Sequence, residues 1–125
     1  IYTSALPDHL CSAAIAAVPL TKKGDLQKRL QKNIQYFSTA MKKQGFMLGT
    51  SLTQIIPIII GPEKTATEFS RLLLELGVFV HAIRYPTVRK GSARLRVSLT
   101  AMHKQEHLDA AIAAFEMVGR KTKII

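Results

Sequence analysis

Five isoleucines and one proline fill positions 55 to 60, and this run constrains the fold more than any other stretch of the sequence. β-Branched side chains favour strands, and a run that is apolar at every position predicts a strand buried on both faces. Pro57 has no backbone N–H to donate, so it should lie near the start of the strand or on an edge of the sheet. Other parts of the protein must therefore cover both faces of this strand.

The rest of the chain alternates between helical and extended patterns, and no internal repeat, linker or low-complexity tract interrupts it. Four helices and three strands are predicted, the helices over 7–19, 25–45, 62–77 and around 108–118, the strands over 55–60, 78–83 and 93–99. Prolines at 7 and 19 should bound the first helix. With 125 residues, 47% of them hydrophobic, the chain suits one α/β or α+β domain, a small antiparallel-rich sheet packed by helices.

The chain is strongly basic, with 18 lysines and arginines against 8 acidic residues and a formal charge of +10. Such a balance raises nucleic acid, anionic lipid or a phosphorylated substrate as a partner. The basic residues are spread along the chain with few aromatics between them, so nucleic acid remains only a distant alternative. No apolar run reaches the length of a membrane span. The single cysteine, Cys11, cannot form an internal disulfide, and it fits a reducing cytoplasm.

Two arginines lie two positions apart in the third predicted strand. Period-2 alternation sends Arg94 and Arg96 to one face, together with Ser98, and sends apolar residues to the other. On a solvated face the arginines would only guard the strand against aggregation. On a sheltered face their planar guanidinium groups would match a carboxylate or a phosphate. The strand alone leaves both interpretations open.

Three segments, taken in order, resemble a known family. They read IYTSALPD at the start, IIPIIIGPEKTATEFSRLLLELGVFVHAIRYPTV in the middle and PTVRKGSARLRVSLTAMH towards the end. Together they are similar to the C-terminal part of the α-oxoamine synthases, pyridoxal-phosphate enzymes that condense an amino acid with an acyl-CoA. The resemblance covers nearly the whole chain. It implies that residues 1–125 form the C-terminal small domain of a fold-type I aminotransferase-like enzyme.

The resemblance also implies roles for particular residues. Arg96, the second arginine of ARLR, should bind the carboxylate of the amino-acid substrate or product, and Thr87 of PTV should contact substrate. Ser4 aligns with a hydroxyl that reaches the cofactor phosphate of the neighbouring subunit of a homodimer, and Thr3 is a possible helper. The lysine that holds pyridoxal phosphate belongs to a large domain upstream of Ile1. This chain should therefore contain no catalytic residue and be inactive alone.

Within the family, AIRYPTV and ARLRVSLTA are most similar to the branch that joins L-alanine to pimeloyl-CoA, or its carrier-protein equivalent, with loss of CO₂ in biotin biosynthesis. The glycine C-acetyltransferase branch, or another acyl-CoA:amino acid synthase, is the alternative. Arg89, Asp8 and Lys104 depart from the usual proline, proline and threonine. We expect a cytoplasmic enzyme that binds neither nucleic acid nor membrane.

One short motif suggests a different chemistry. His103, Glu106 and His107 spell H-x-x-E-H, the zinc-binding order of inverted metalloproteases, and a helix would bring both histidines to one face. A catalytic zinc also needs a third ligand, and few candidates follow in the sequence. Motifs of five residues arise often by accident, so we expect no metal site.

Overall fold

The computed structural model describes residues 5–125. Its elements are α1 (Asp8–Lys22), α2 (Asp25–Lys43), β1 (Ile55–Gly61), α3 (Glu63–Glu75), β2 (His81–Ile83), β3 (Ala93–Ser98) and α4 (Gln105–Lys121). The predicted class is confirmed, because these elements form one antiparallel three-stranded sheet with helices packed on it.

The sheet has the order β1-β3-β2, so β3 lies at its centre and both pairings are antiparallel. Strand β1 is at the edge of the sheet, and the backbone nitrogen and carbonyl of Pro57 point away from β3. The missing N–H of Pro57 therefore costs no hydrogen bond to β3. The segment 47–49 lines the side of β1 away from β3, where the N–H of Gly49 donates to the carbonyl oxygen of Pro57 at 2.8 Å. The N–H of Ile59 donates to the carbonyl oxygen of Met47 at the same distance.

Strand β2 is shorter than the predicted strand over 78–83, because α3 binds the backbone of residues 78–80. The N–H of Val78 donates to the carbonyl oxygen of Leu73 at 2.8 Å. The hydroxyl of Ser70 donates to the carbonyl oxygen of Val80 at 2.5 Å. Residues 78–80 therefore separate from β3, and a gap opens in the sheet beyond the pairing of His81 with Arg96.

The hydrophobic core lies on one face of the sheet, which we call the covered face. Alternate strand residues point into it, and α2, α3 and α4 close it. Four phenylalanines form its centre, with ring centroids 5.8 to 6.1 Å apart: Phe37, Phe46, Phe69 and Phe115. Mostly edge-to-face contacts of this kind stabilise a core beyond the area that they bury.

The opposite face of the sheet is covered by no described element. Along β1, Ile56, Ile58 and Ile60 are buried, whereas Ile55 is exposed and Pro57 is half-buried. Residues 5–125 therefore bury β1 on one face only, and burial of its other face by other parts of the protein stays a prediction. The physical reason is that all three packing helices lie on one side.

Helix α1 has an apolar composition, yet none of its residues is buried. At least half of the surface is exposed in each of its large apolar residues Leu10, Ile15, Val18 and Leu20. The prediction that Pro19 ends the helix is wrong, because α1 continues to Lys22. A proline in the last turns removes only its own N–H, and its carbonyl still accepts the N–H of Lys23 at 3.3 Å. None of the described helices combines the length and the hydrophobicity needed to cross a bilayer.

Candidate functional site on the open face of the sheet

The uncovered face of the sheet, which we call the open face, carries the two arginines of β3. Antiparallel pairing fixes their neighbours, because residues directly opposite one another project to the same side. Arg96 lies between Pro57 and His81, and Arg94 lies between Ile59 and Ile83. The strands thus place a cationic strip down the middle of a surface whose flanks are largely apolar.

Arg96 is available to bind an anion. Its side chain is exposed, and it makes no hydrogen bond or ion pair to any other described residue. The open-face positions contain no aspartate or glutamate that could neutralise it. The strand fixes the face to which Arg96 projects, and its guanidinium can offer two parallel N–H groups to one carboxylate.

Arg94 has a different environment from Arg96, although the two lie two residues apart. It is half-buried, and its Nε and one terminal nitrogen both donate to the carbonyl oxygen of Ser92 at 3.2 Å. These bonds turn the guanidinium back along its own strand. Arg94 therefore stabilises the loop before β3, and its charge adds to the positive potential around Arg96.

The loop over 84–92 joins β2 to β3 and carries Thr87. One carboxylate holds this loop, because Oε1 of Glu63 at the start of α3 accepts the N–H of Gly91 at 2.9 Å. That hydrogen bond lowers the pKa of Glu63 below its ordinary value, since it favours the ionised carboxylate. Gly91 has φ +73°, a left-handed conformation that glycine adopts without steric cost. The turn depends on both groups.

Thr87 and Arg96 do not meet directly in this structure. Thr87 is exposed, and its N–H donates to the carbonyl oxygen of Arg84 at 3.0 Å. The loop begins after Ile83, which pairs with Arg94. Thr87 therefore lies beyond the end of the sheet that is nearer Arg94 than Arg96. The substrate roles of Thr87 and Arg96 stay predictions. Thr3 and Ser4 lie outside the described residues.

His81 is a neighbour of Arg96 that sequence reasoning missed. From the sequence alone, His81 is expected to be an ordinary packing or surface residue. The register instead sets His81 directly opposite Arg96, and its ring packs edge-on against Phe79 with centroids 4.8 Å apart. Its alternation with Ile83 could have placed it on one face of β2, but only the pairing register identifies that face.

The H-x-x-E-H motif lies beyond the end of β3, at the start of α4, and not on the strands of the sheet. The two imidazole rings are 6.4 Å apart between centroids, and Glu106 pairs with Lys104 at 3.3 Å. No group of three or more metal-ligand side chains occurs within residues 5–125. The motif therefore lacks the third ligand that a catalytic zinc requires.

Comparison with known proteins shows the family. A family model described as aminotransferase class I and II matches residues 1–115. The chain belongs to this family. The match includes all three strands and therefore the whole open face.

This aminotransferase-family chain is similar over its whole length to named enzymes. It is 46% identical to the 8-amino-7-oxononanoate synthase of Thermoanaerobacter pseudethanolicus, over 100% of this chain and 32% of that protein. The chain thus spans about a third of the length of the curated relatives that it matches.

Two solved structures share the fold. A serine palmitoyltransferase variant from S. paucimobilis, with bound pyridoxal phosphate and myriocin, has a TM-score of 0.88 and 26% identity. It is matched over 100% of this chain and 32% of its own. The 8-amino-7-oxononanoate synthase of Francisella tularensis has a TM-score of 0.81 and 28% identity over 100% of this chain and 36% of its own. The small-domain architecture predicted from the sequence is confirmed.

The residues of the open face suit an anionic group such as a carboxylate better than they suit the pyridoxal cofactor. Its polar side chains are Arg94, Arg96, His81 and Ser98. It contains no lysine to bond the aldehyde and no carboxylate to pair with a pyridine nitrogen, within the part of the chain that the structure describes. These residues can bind and orient an anionic group, and the cofactor needs other residues.

Proposed function

We propose that this chain is the C-terminal small domain of an 8-amino-7-oxononanoate synthase, which condenses L-alanine with pimeloyl-CoA, or pimeloyl carrier protein, and releases CO₂. The observation that carries the proposal is the similarity to 8-amino-7-oxononanoate synthases over the full length of the chain. A glycine C-acetyltransferase or another acyl-CoA:amino acid synthase is the second candidate. This second candidate is supported by the structural similarity of the chain to a serine palmitoyltransferase.

In the proposed enzyme, residues 1–125 work with a large cofactor-binding domain that other residues form. The 32% share of the relatives' length supports this division. Pyridoxal phosphate, when bound, withdraws electrons from the α-carbon of the amino acid, so that this carbon can attack the acyl thioester. Thr3 and Ser4 would contribute hydroxyls to the cofactor phosphate of a partner subunit in a homodimer.

Arg96 is proposed to bind the carboxylate of the amino-acid substrate or product. The support for this role is its position on the open face, where no described carboxylate competes for the guanidinium. A charge-assisted pair of this kind contributes about 1.5 to 3 kcal/mol. Its effect is to fix the orientation of the substrate, which removes part of the barrier before the chemistry begins. The hydroxyl of Thr87 would then contact substrate from the neighbouring loop.

The division between domains can be tested on the 125-residue chain. We expect that incubation with pyridoxal phosphate and reduction with borohydride leave no stoichiometric pyridoxyl adduct on a single lysine, as measured by peptide mass spectrometry. The chain alone should also release no CO₂ from L-alanine and pimeloyl-CoA. A stoichiometric adduct at one lysine would show that the cofactor residue is in this chain and would overturn the proposed division.

The choice of substrate can be tested on the complete enzyme. Purified enzyme is assayed with L-alanine and pimeloyl-CoA, with glycine and acetyl-CoA, and with L-serine and a long-chain acyl-CoA. The proposal expects the highest kcat/KM for the first pair. A higher value for either of the other pairs would assign the chain to another synthase.

A further inference from the structure

A cavity that is not lined by Arg94 or Arg96 lies where the pairing between β2 and β3 ends. It occupies about 460 Å³ in the gap between residues 78–80 and the end of β3, and the start of α4 closes one side. Small-molecule sites in proteins usually measure about 300 to 1,000 Å³. The cavity is therefore large enough for a small organic ligand.

The inner wall of this cavity is apolar. Leu76 and Val78 offer exposed or half-buried apolar surface to it. The lining residues that are buried in the core of the domain are Val97, Leu108 and Phe115. At the mouth the ring of Phe79 is 70% exposed, which leaves a large apolar side chain without cover from described residues. No acidic, lysine or arginine side chain is among the described residues of the lining. A ligand would thus find an apolar floor and no permanent charge on the walls.

The polar groups of the cavity are Ser98 and the two histidines of the H-x-x-E-H motif. Nδ1 of His103 accepts the N–H of Thr100 at 3.3 Å, and Nδ1 of His107 accepts the N–H of Lys104 at 3.4 Å. A ring nitrogen that accepts a hydrogen bond carries no proton, so in each neutral ring Nε2 carries it. Both imidazoles therefore present Nε2–H as a donor.

This arrangement opposes a metal and favours an organic acceptor. A metal bound at Nε2 would require that nitrogen to lose its proton, and the proton would move to Nδ1 and break the backbone hydrogen bond there. An oxygen acceptor leaves both backbone bonds intact. One carboxylate has two oxygens and can accept from both donors, and hydrogen bonds to an ionised acceptor are the stronger ones.

We propose that this cavity binds a short-chain monocarboxylate. Its carboxylate oxygens accept from Nε2 of His103 and Nε2 of His107, and its unbranched hydrocarbon chain lies against Leu76, Val78 and Phe79. The site goes beyond the proposed synthase reaction and uses neither Arg96 nor Thr87. It accounts for the histidine motif without a metal.

The test uses the 125-residue chain, which has a hydrophobic core of its own. Backbone amide spectra are recorded by NMR during titration with hexanoate, 1-hexanol and acetate. Hexanoate should saturate with a Kd on the order of 1 mM, as expected for a ligand of this size. It should shift the amides of Val80, Ser98 and His103. Hexanol should bind about tenfold more weakly, since it lacks the charge, and acetate should not saturate, since it lacks the chain.

Two variants and a control locate the site. His107→Leu removes one donor at similar bulk and should weaken hexanoate binding about tenfold. His107→Gln retains a donor and an acceptor and should stay within about threefold of the parent chain. Tyr36→Phe alters a separate groove between α2 and α4 and should leave the affinity unchanged.

Spectra of the histidine side chains provide a readout independent of the variants. Hexanoate should shift the Nε2–H signals of His103 and His107, which remain the protonated nitrogens. The proposal is overturned if hexanoate shifts do not saturate, if they cluster around Arg96 on the open face, or if 1-hexanol binds as tightly as hexanoate. Unfolding of His107→Leu would leave these wild-type measurements to decide the outcome.

Discussion

Leu95 and Arg96 are adjacent in β3, and they show how differently the two faces of one sheet behave. Leu95 points into the covered face and is fully buried, whereas Arg96 points to the open face and is exposed. The covered face is closed by three helices and contributes stability. The open face is covered by no described element, and the Arg96 guanidinium there has no partner among residues 5–125. Its hydrogen-bond donors are therefore free to bind an external group.

The largest effect is expected from Leu95→Ala. Removing a fully buried leucine side chain costs its transfer free energy and leaves a cavity, so the free energy of unfolding should fall by about 2 to 5 kcal/mol. Urea unfolding followed by circular dichroism measures it. Leu74→Ala, at an exposed position of α3, is the matched control and should change stability by less than about 0.5 kcal/mol. Equal effects of the two substitutions would contradict the assignment of the covered face.

Arg96→Ala should change the free energy of unfolding little and activity strongly. Its stability should stay within about 0.5 kcal/mol of the parent chain, since it removes an exposed side chain with no described partner. In the complete enzyme, kcat/KM for the amino acid should fall about 10- to 150-fold, the equivalent of the 1.5 to 3 kcal/mol expected of a charge-assisted pair.

Arg120→Ala is the control for Arg96→Ala. Arg120 is an exposed arginine of α4 that pairs with Glu116 at 2.8 Å, away from the open face. It should leave kcat/KM unchanged. If Arg96→Ala retained full kcat/KM, or if both variants lost activity equally, the open face would not be the substrate site.

A smaller effect should appear on acidification, at the loop beside the open face. The pKa of Glu63 is lowered in the folded chain by the N–H of Gly91, so its contribution is present above the ordinary carboxyl value and is lost as pH falls through the lowered folded pKa. The protection factor for amide hydrogen exchange at Gly91, which corrects for the intrinsic pH dependence of exchange, should fall over that range while the protection factor at Leu95 does not change.

Glu63→Gln tests whether this carboxylate is responsible. The amide side chain does not titrate in this range, so the protection factor at Gly91 in the variant should not change with acid pH. The unaltered carboxylate of Glu68, whose pKa is lowered by its hydrogen bond with Arg71, serves as an internal reference. A loss of protection at Gly91 that persists in Glu63→Gln would assign the pH effect to another group.

The smallest effect is expected in α1, which lies outside both faces. Leu10→Ala should change the free energy of unfolding of this chain by less than about 0.5 kcal/mol, because the side chain is exposed and packs against no core residue. Thermal unfolding by calorimetry checks it. A loss approaching that of Leu95→Ala would show that α1 belongs to the cooperative core.

Much of the local structure could be predicted because its signals are short in range. Gly45 and Gly77 end α2 and α3 as expected, each with positive φ. The boundaries failed where a tertiary contact competed with the local pattern. Residues 78–80 have strand propensity, but Ser70 and Leu73 bind their backbone groups. Pro19 does not end α1, because a proline in the last turns costs the helix one backbone hydrogen bond and the remaining hydrogen bonds still form.

The candidate site was only partly predictable. Arg96 and Thr87 came from motifs that the family resemblance supplied, and the structure supports an available guanidinium at Arg96 without joining it to Thr87. His81 was missed because no motif contains it, and the cavity was missed because the H-x-x-E-H motif gives no sign of the gap in the sheet beside it. His81 becomes a neighbour of Arg96 only when β2 pairs with β3 in one register, and the cavity exists only because that pairing stops.

The sequence by itself determined that β3 has two unlike faces, because alternation along a strand follows from backbone geometry and needs no partner. Leu95 and Arg96 were certain to point apart in any extended strand. Only the tertiary structure decided which face of β1 stays uncovered, since its isoleucines are equally apolar on both sides. The packing of α2, α3 and α4 on a single side resolved that choice, and burial of the four phenylalanines is the free-energy term that drives it.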